Sequence, residues 1–263
     1  MSTDGVGMWA YAVIRGDSAE ERVAGLRGVA GEPIRQVATG DLVAVVGTVG
    51  LAEFGESALR RNLEDLDWLA AEARAHDAVI SAIARSGAVI PVRMATVYLD
   101  DARVRQLLDS RRADFCAALD LVTGREELGV KVYADPKSLA RQGGSGQQDS
   151  GDGRSGTAYL LRRRRELASQ EDAFRLAAAH AESIHAKLLE QAVDGKRKPA
   201  TDRSLSGTDA WTVLNGTYLV DTTSVEDFRA AVAALGRNAE GIELEITGPW
   251  PPYSFAGDVV GRE

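Results

Sequence analysis

Apolar and polar positions alternate in an order that predicts the first half of the fold. Met8–Gly16 (MWAYAVIRG) is a run of apolar and aromatic residues of strand length. DSAEERVAGLRG follows as a short helix, with Asp17 or Ser18 as N-cap and acids in its first turn. PIRQVAT and LVAVVGTV flank Gly40-Asp41, a two-residue hairpin signal. A long helix is predicted over Asn62–Arg85, with Leu63, Leu66, Leu69, Ala73, His76, Ile80 and Ile83 as its apolar stripe. Gly87 stops it, and AVIPV supplies another strand. The order β-α-β-β-α-β is the ferredoxin-like split motif, with two amphipathic helices on one face of an antiparallel sheet.

A further helical stretch carries Val104, Leu107, Leu108, Phe115 and Leu119, and LGVKVYAD reads as an added strand. Arg141–Gly156 (RQGGSGQQDSGDGRSG) has no large apolar side chain and predicts a flexible linker or loop. Beyond it a second long helix begins near Ala158. Leu160, Leu167, Phe174, Ala181 and Leu188 recur every seven residues, with Ala177 and Ile184 in part of a second row, a pattern suited to packing against another helix. DGKRKPATDRSLSGTD is a polar interruption. WTVLNGTYLV then predicts a strand, and SVED a helix start with Ser224 and Asp227 as a capping-box pair. GIELEIT alternates strictly, with Ile242, Leu244 and Ile246 inward and Glu243 and Glu245 outward. The fold class expected is α+β in two domains. Residues 1–137 form a ferredoxin-like N-terminal domain with added helices, and 138–157 a linker. Residues 158–263 form a C-terminal α/β domain with a long helix and a β-α-β unit.

Composition narrows the function classes. The 263 residues suit two modest domains or one large one, and 44% hydrophobic with 27% charged residues fits an ordinary globular protein. Apolar runs stay well below the roughly 18 residues of a membrane span. MSTDGVGMWAYAV lacks a basic region followed by a long apolar one, so no secretory signal is expected. The single cysteine, Cys116, excludes an intramolecular disulfide and is consistent with a reducing compartment. A net charge of −8 argues against nonspecific nucleic-acid binding. The local exception, Arg162–Arg165, points around a helix and reads as a solvated helix start in preference to a phosphate site.

Candidate chemistry is sparse. His180 and His185 are five apart, a poor spacing for a shared metal. His76 lies on an apolar stripe and reads as a hydrogen-bonded structural histidine. Cys116, beside Phe115, reads as a small buried hydrophobe. Glu64, Asp65 and Asp67 favour the dipole at a helix start. The glycines at 143–156 lack phosphate-loop spacing. No catalytic residue, cofactor site or metal site is assigned.

Two features remain: VIPVRMATVY, where a strand meets Pro91 and then Arg93, and TGPWPPYSF at Thr247–Phe255. Pro251 and Pro252 fix φ and remove two backbone donors, so the strand must end there. The segment is stiff, and ordering it costs little entropy. Trp250, Tyr253 and Phe255 either plug the side of a domain or offer an aromatic anchor to a partner.

TGPWPPYSF, preceded by GTYLVD and by a helix carrying DFRAAV, closely resembles the C-terminal signature of the gas vesicle protein F/L family. YAVIRG, LVAVVGTV, DWLAAEARAHDAVI, VIPVRMATVY and GREELGVKVYAD extend the resemblance over nearly the whole chain apart from the linker. One departure is Met94-Ala95, where the family tends to have Phe-Gly. The resemblance implies a modified ferredoxin-like N-terminal domain, an α/β C-terminal domain with a prominent helix, and no enzymatic activity. It implies an accessory or minor structural component of gas vesicles, the hollow protein shells that give prokaryotic cells buoyancy. It further implies a cytoplasmic, vesicle-associated location, and binding to the very hydrophobic shell protein and to other vesicle accessory proteins. Pro249, Trp250, Pro251, Pro252, Tyr253 and Phe255 are the candidate contacts, with Arg93 beside them. The rival from another class is a small-ligand-binding or enzymatic ferredoxin-like protein.

Overall fold

The computed structural model describes residues 5–17, 19–143, 156–199, 210–237 and 239–256. They form two compact units. The first takes in the chain up to Glu127 together with the described segment from Trp250; the second is Leu128–Pro249.

In the first unit, β1 (Val6–Arg15), α1 (Ala19–Val23), β2 (Ile34–Thr39) and β3 (Leu42–Gly50) follow the predicted order. Gly40, at φ 58°, makes the hairpin turn between β2 and β3. Two short helices not expected from the pattern follow, α2 (Leu51–Phe54) and α3 (Glu56–Asn62), and then α4 (Leu66–Ala84), the long helix expected over Asn62–Arg85, which starts four residues later. Asp65 sets the start of α4 by accepting hydrogen bonds from the amides of Asp67 (3.0 Å) and Trp68 (3.2 Å). The predicted stripe therefore fails at its N-terminal end. Leu63 precedes the helix, Leu66 is 76% exposed, and Ala73 is exposed while its neighbour Glu72 is buried. The C-terminal half holds, with His76, Ile80 and Ile83 buried.

β4 (Ile90–Pro91) and β5 (Val97–Tyr98) both pair with β1. The sheet order β2-β3-β1-β4, antiparallel throughout, is that of the split motif, in which β3 lies between β1 and β2. Trp9, Tyr11, Ile14, Val43, Val45 and Val49 face the core made with α4. Ala44 and Val46 are also buried, but on the alternate face. There α5 (Asp101–Ser110) packs on β2 and β3, and α6 (Arg112–Val122) packs on β1 and β4. The added helices thus cover the second face, which explains why β1 and β3 read as near-continuous apolar runs. Cys116, expected to be buried, is only half-buried on α6, its Sγ 3.8 Å from the Asp41 carboxylate.

The second unit is built on another four-stranded sheet, ordered β7-β8-β6-β9. β6 (Arg125–Ala134) is the strand expected as an addition to the first sheet. It lies instead between β8 (Trp211–Asp221) and β9 (Ile242–Trp250), so β8-α9-β9 is itself a split unit around β6. β7 (Asp194–Arg197) falls in the stretch read as a polar interruption; it is a short basic edge strand paired with β8. α7 (Pro136–Gly143), α8 (Gly156–Leu189) and α9 (Val225–Arg237) complete the unit. Ala173, Ala177, Ala181, Ile184 and Leu188 of α8 are buried against Leu128, Val130, Val132 and Tyr218, with Phe228 and Val232 from α9. The heptad row divides: Ala181 and Leu188 are core, whereas Leu167 and Phe174 are 46% and 56% exposed. Leu160 lies among residues whose side chains are not described. Arg163 and Arg164 are exposed.

Candidate functional site

The proline-aromatic segment begins inside β9 rather than after it. The strand runs to Trp250, three residues beyond the alternating GIELEIT pattern, and stops where Pro251 removes a donor. Gly248 has φ 100°, a conformation that L side chains rarely adopt, and precedes a cis bond to Pro249. The Arg229 guanidinium of α9 donates to the Gly248 carbonyl at 3.0 Å, which fixes the turn of the chain at this point.

From here the side chains part company. Pro249 is exposed and Trp250 is 52% exposed, while Pro251 and Pro252 are buried. A one-turn helix, α10 (Tyr253–Ala256), follows; the Phe255 and Ala256 amides donate to the Pro252 carbonyl at 3.2 and 3.0 Å. α10 packs on α6 and β4 of the first unit, with Phe255 6% exposed. The Tyr253 hydroxyl donates to Asp77 of α4 at 3.2 Å. Burial, and then the Asp77 charge, push that hydroxyl's pKa well above its ordinary value.

The firmest attachment belongs to a residue that sequence reasoning passed over. Glu127 is 3% exposed. Its carboxylate accepts from the Ser254 amide at 2.8 Å and from the Ser254 hydroxyl at 2.5 Å. Two donors from one residue hold the buried charge, and the charge in turn fixes α10. The sequence signal was present in the GREELGVKV stretch, where an acid occupies an inward strand position. Tyr253 and Phe255 therefore close the side of the first unit, and Trp250 is the aromatic of the segment that stays exposed.

Arg93 is exposed on the loop after β4, where its carbonyl accepts from the Thr96 hydroxyl at 2.7 Å. Two residues on, Ala95 has φ 64°, alone in that region among the described non-glycine residues. This is the position of the departure from Phe-Gly, so the backbone keeps the left-handed turn without the glycine that would suit it.

Beneath the sheet lies a buried polar chain. The Trp9 indole N–H donates to His76 Nδ1 at 3.0 Å, and His76 Nε2 donates to the Val92 carbonyl at 3.0 Å. Both ring nitrogens are used, the imidazole is neutral, and burial lowers its pKa. Tyr11 stacks on His76 with centroids 5.3 Å apart, and its hydroxyl donates to Glu32 at 2.6 Å. Glu32 fits because Gly28 and Gly47 leave it room: a β-carbon at either would collide with its carboxylate. His76 is thus the hydrogen-bonded structural histidine expected. In the second unit His185 is buried and shares a 2.7 Å hydrogen bond with the Tyr218 hydroxyl, turned away from any joint site with His180. No group of three or more His, Cys, Asp or Glu side chains among the described residues is placed to hold a metal ion. No described helix is long and apolar enough to cross a membrane.

Comparison with known proteins places this architecture. The profile of the family described as gas vesicle synthesis protein GvpL/GvpF matches residues 7–257. The chain is 42% identical over 260 residues to gas vesicle protein L of Streptomyces sp. (strain CB03234), covering 98% of this chain and 95% of that protein. It is 26% identical over 257 residues to gas vesicle protein F of the same organism, covering 94% of this chain and 98% of that one. The crystal structure of GvpF from Anabaena sp. PCC7120 superposes with a TM-score of 0.70 at 15% identity, over 96% of each chain. GvpF from Microcystis aeruginosa gives 0.67 at 16% identity, over 95% of this chain and 98% of that one. The solved structures share the fold, and the family match spans the signature segment just described: this chain belongs to the GvpL/GvpF family of gas vesicle synthesis proteins.

Proposed function

We propose that this protein is a non-enzymatic assembly factor that binds the hydrophobic gas vesicle shell protein through the surface around Trp250. It works in the cytoplasm at the growing vesicle. The observation that carries the reading is the split character of the C-terminal segment. Ser254, Tyr253 and Phe255 hold it down, while the Trp250 indole is held out on a proline-stiffened mount. A large aromatic whose backbone is already ordered loses little entropy on binding, which is how interface anchors gain affinity. A shell subunit exposes apolar surface that aggregates in water before assembly. An acidic partner of net charge −8 with such an anchor would cover that surface and keep the complex in solution. Pro249, the exposed residue before Trp250 in the chain, completes the proposed contact, with Arg93 a weaker candidate. Pro251, Pro252, Tyr253 and Phe255 contribute by positioning.

The test is co-expression with the shell protein and capture of this chain under non-denaturing conditions. Recovery of soluble shell protein with the captured chain is expected. If the shell protein aggregates and this chain purifies without it, direct subunit binding is wrong.

A further inference from the structure

Trp68, Glu72 and His76 follow one another at four-residue spacing along α4 and so share a face of that helix. His76 has partners on both ring nitrogens, but the two residues before it in the row do not. Glu72 is 9% exposed, and its Oε2 is buried with no hydrogen-bond partner. The Trp68 indole N–H is buried and unpartnered as well, although the residue is only half-buried. Two further acids reach this place from other elements. Phe54 of α2 packs against Trp68 with centroids 6.0 Å apart, and its neighbour Glu53 is exposed. Glu32 arrives through Tyr11, which stacks on His76 and donates to the Glu32 carboxylate. Both acids repel the Glu72 charge. No lysine or arginine among the described residues forms an ion pair with any of the three. A buried carboxylate is normally paired, so one left uncompensated among other acids is costly and is relieved by a cation.

The surroundings define the cation. Among the described residues, these acids are not placed to hold a metal ion together. An organic cation spreads its N–H donors over several ångströms, and Trp68 offers it an aromatic face. The unpartnered indole N–H needs an acceptor, which a simple cation lacks and a peptide carbonyl supplies. A basic residue within a polypeptide carries both groups. We propose that Glu72, Glu53 and Trp68 form a socket for an arginine side chain of a partner protein. The guanidinium donates to the two carboxylates, and a main-chain carbonyl beside it accepts from the Trp68 indole. Arginine suits the site better than lysine because its planar fork serves two carboxylates at once and stacks on the ring. Glu32 is already committed to the Tyr11 hydroxyl and the Ala30 amide, so it contributes charge alone. Glu53, the exposed member, marks the side from which the partner enters. Reaching the buried atoms takes a rotamer change of Glu72 and Trp68, an adjustment common at interfaces. The socket is made by residues other than those around Trp250, so each contact can be tested without the other.

The probe is an acetylated and amidated Ala-Arg-Ala tripeptide, with the citrulline tripeptide as an uncharged control of the same shape. Each is titrated into the full chain labelled with nitrogen-15. The chain has four tryptophans, and loss of one indole N–H signal in Trp68→Phe assigns the one at the socket. The arginine peptide is expected to shift the Trp68 signal saturably, with a Kd on the order of 1 mM for so short a ligand. The citrulline peptide should bind about 10-fold more weakly or worse, because it cannot compensate the carboxylates. Glu72→Gln keeps the shape and removes the charge, and should weaken binding about 10-fold; Glu53→Gln, at an exposed position, should weaken it about 2- to 5-fold. A Trp68 signal that does not shift saturably up to about 20 mM arginine peptide overturns the proposal. Equal binding of the two peptides, or binding undiminished in both glutamine variants, also overturns it.

Discussion

Replacing Ser254 by alanine tests how the C-terminal segment is held. The Glu127 carboxylate is buried and takes two hydrogen bonds from Ser254, at 2.8 Å from the amide and 2.5 Å from the hydroxyl. Alanine keeps the first and deletes the second. The volume lost is one oxygen, so cavity terms are negligible. A hydrogen bond to a charged group contributes roughly 1.5–3 kcal/mol, more than a neutral one, and the carboxylate here is buried. For a unit of this size, about 2 kcal/mol corresponds to a fall of roughly 5–10 °C in the midpoint of its unfolding transition. Differential scanning calorimetry measures it directly. A cycle with Glu127→Gln isolates the pair: if the two groups act together, the double variant should be less destabilised than the sum, by about 1–2 kcal/mol. A Ser254→Ala midpoint within about 1 °C of wild type, against the roughly 5 °C minimum expected, would mean that α10 is not latched through Glu127 and that the positioning argument for Trp250 is unfounded.

Three further outcomes follow from the first unit. Ala95→Gly should stabilise by about 1 kcal/mol, since a left-handed φ of 64° strains alanine and not glycine; urea denaturation with an unchanged slope would show it. His76→Phe should destabilise by roughly 2–5 kcal/mol, because it leaves the buried Trp9 N–H and Val92 carbonyl without their partner; loss of near-UV dichroism at lower temperature reads it out. Glu72 is buried with one carboxylate oxygen unpaired, and burial, then Glu53 and Glu32, push its pKa up. A raised acid gives stability that is present below its ordinary range and lost as pH rises through the folded value, so Glu72→Gln should raise the melting temperature at pH 7 and leave it little changed at pH 4.

The parts of the fold written in local pattern were legible. Periodicity, the Gly40 turn and the stop at Gly87 gave β-α-β-β-α-β, and the sheet order realises it. What failed depended on distant partners. β6 has the same appearance whichever sheet it joins, because a strand's apolar alternation says which face is buried and nothing about its neighbours. β7 carries Lys196 and Arg197 and lacks an apolar face, so an edge strand looked like a loop. Leu63 and Leu66 fit a helical stripe, yet the Asp65 cap starts the helix too late to turn them inward. The candidate segment was found from its stiffness and aromatic content. The division between held and exposed residues was not legible, because it rests on Asp77 and Glu127, 176 and 127 positions away from their partners. The glycine missing at position 95 was visible in the sequence, but only the backbone revealed that the left-handed turn survives.

The most direct test of the central claim compares Trp250→Ala with wild type in capture of co-expressed shell protein. The indole is half exposed and outside the packed contacts of α10, so the variant should melt within about 2 °C of wild type. Loss of an interface anchor should weaken capture by about 10-fold or more. A variant that folds normally and recovers as much soluble shell protein as wild type would contradict the claim that Trp250 is the contact the segment is built to present.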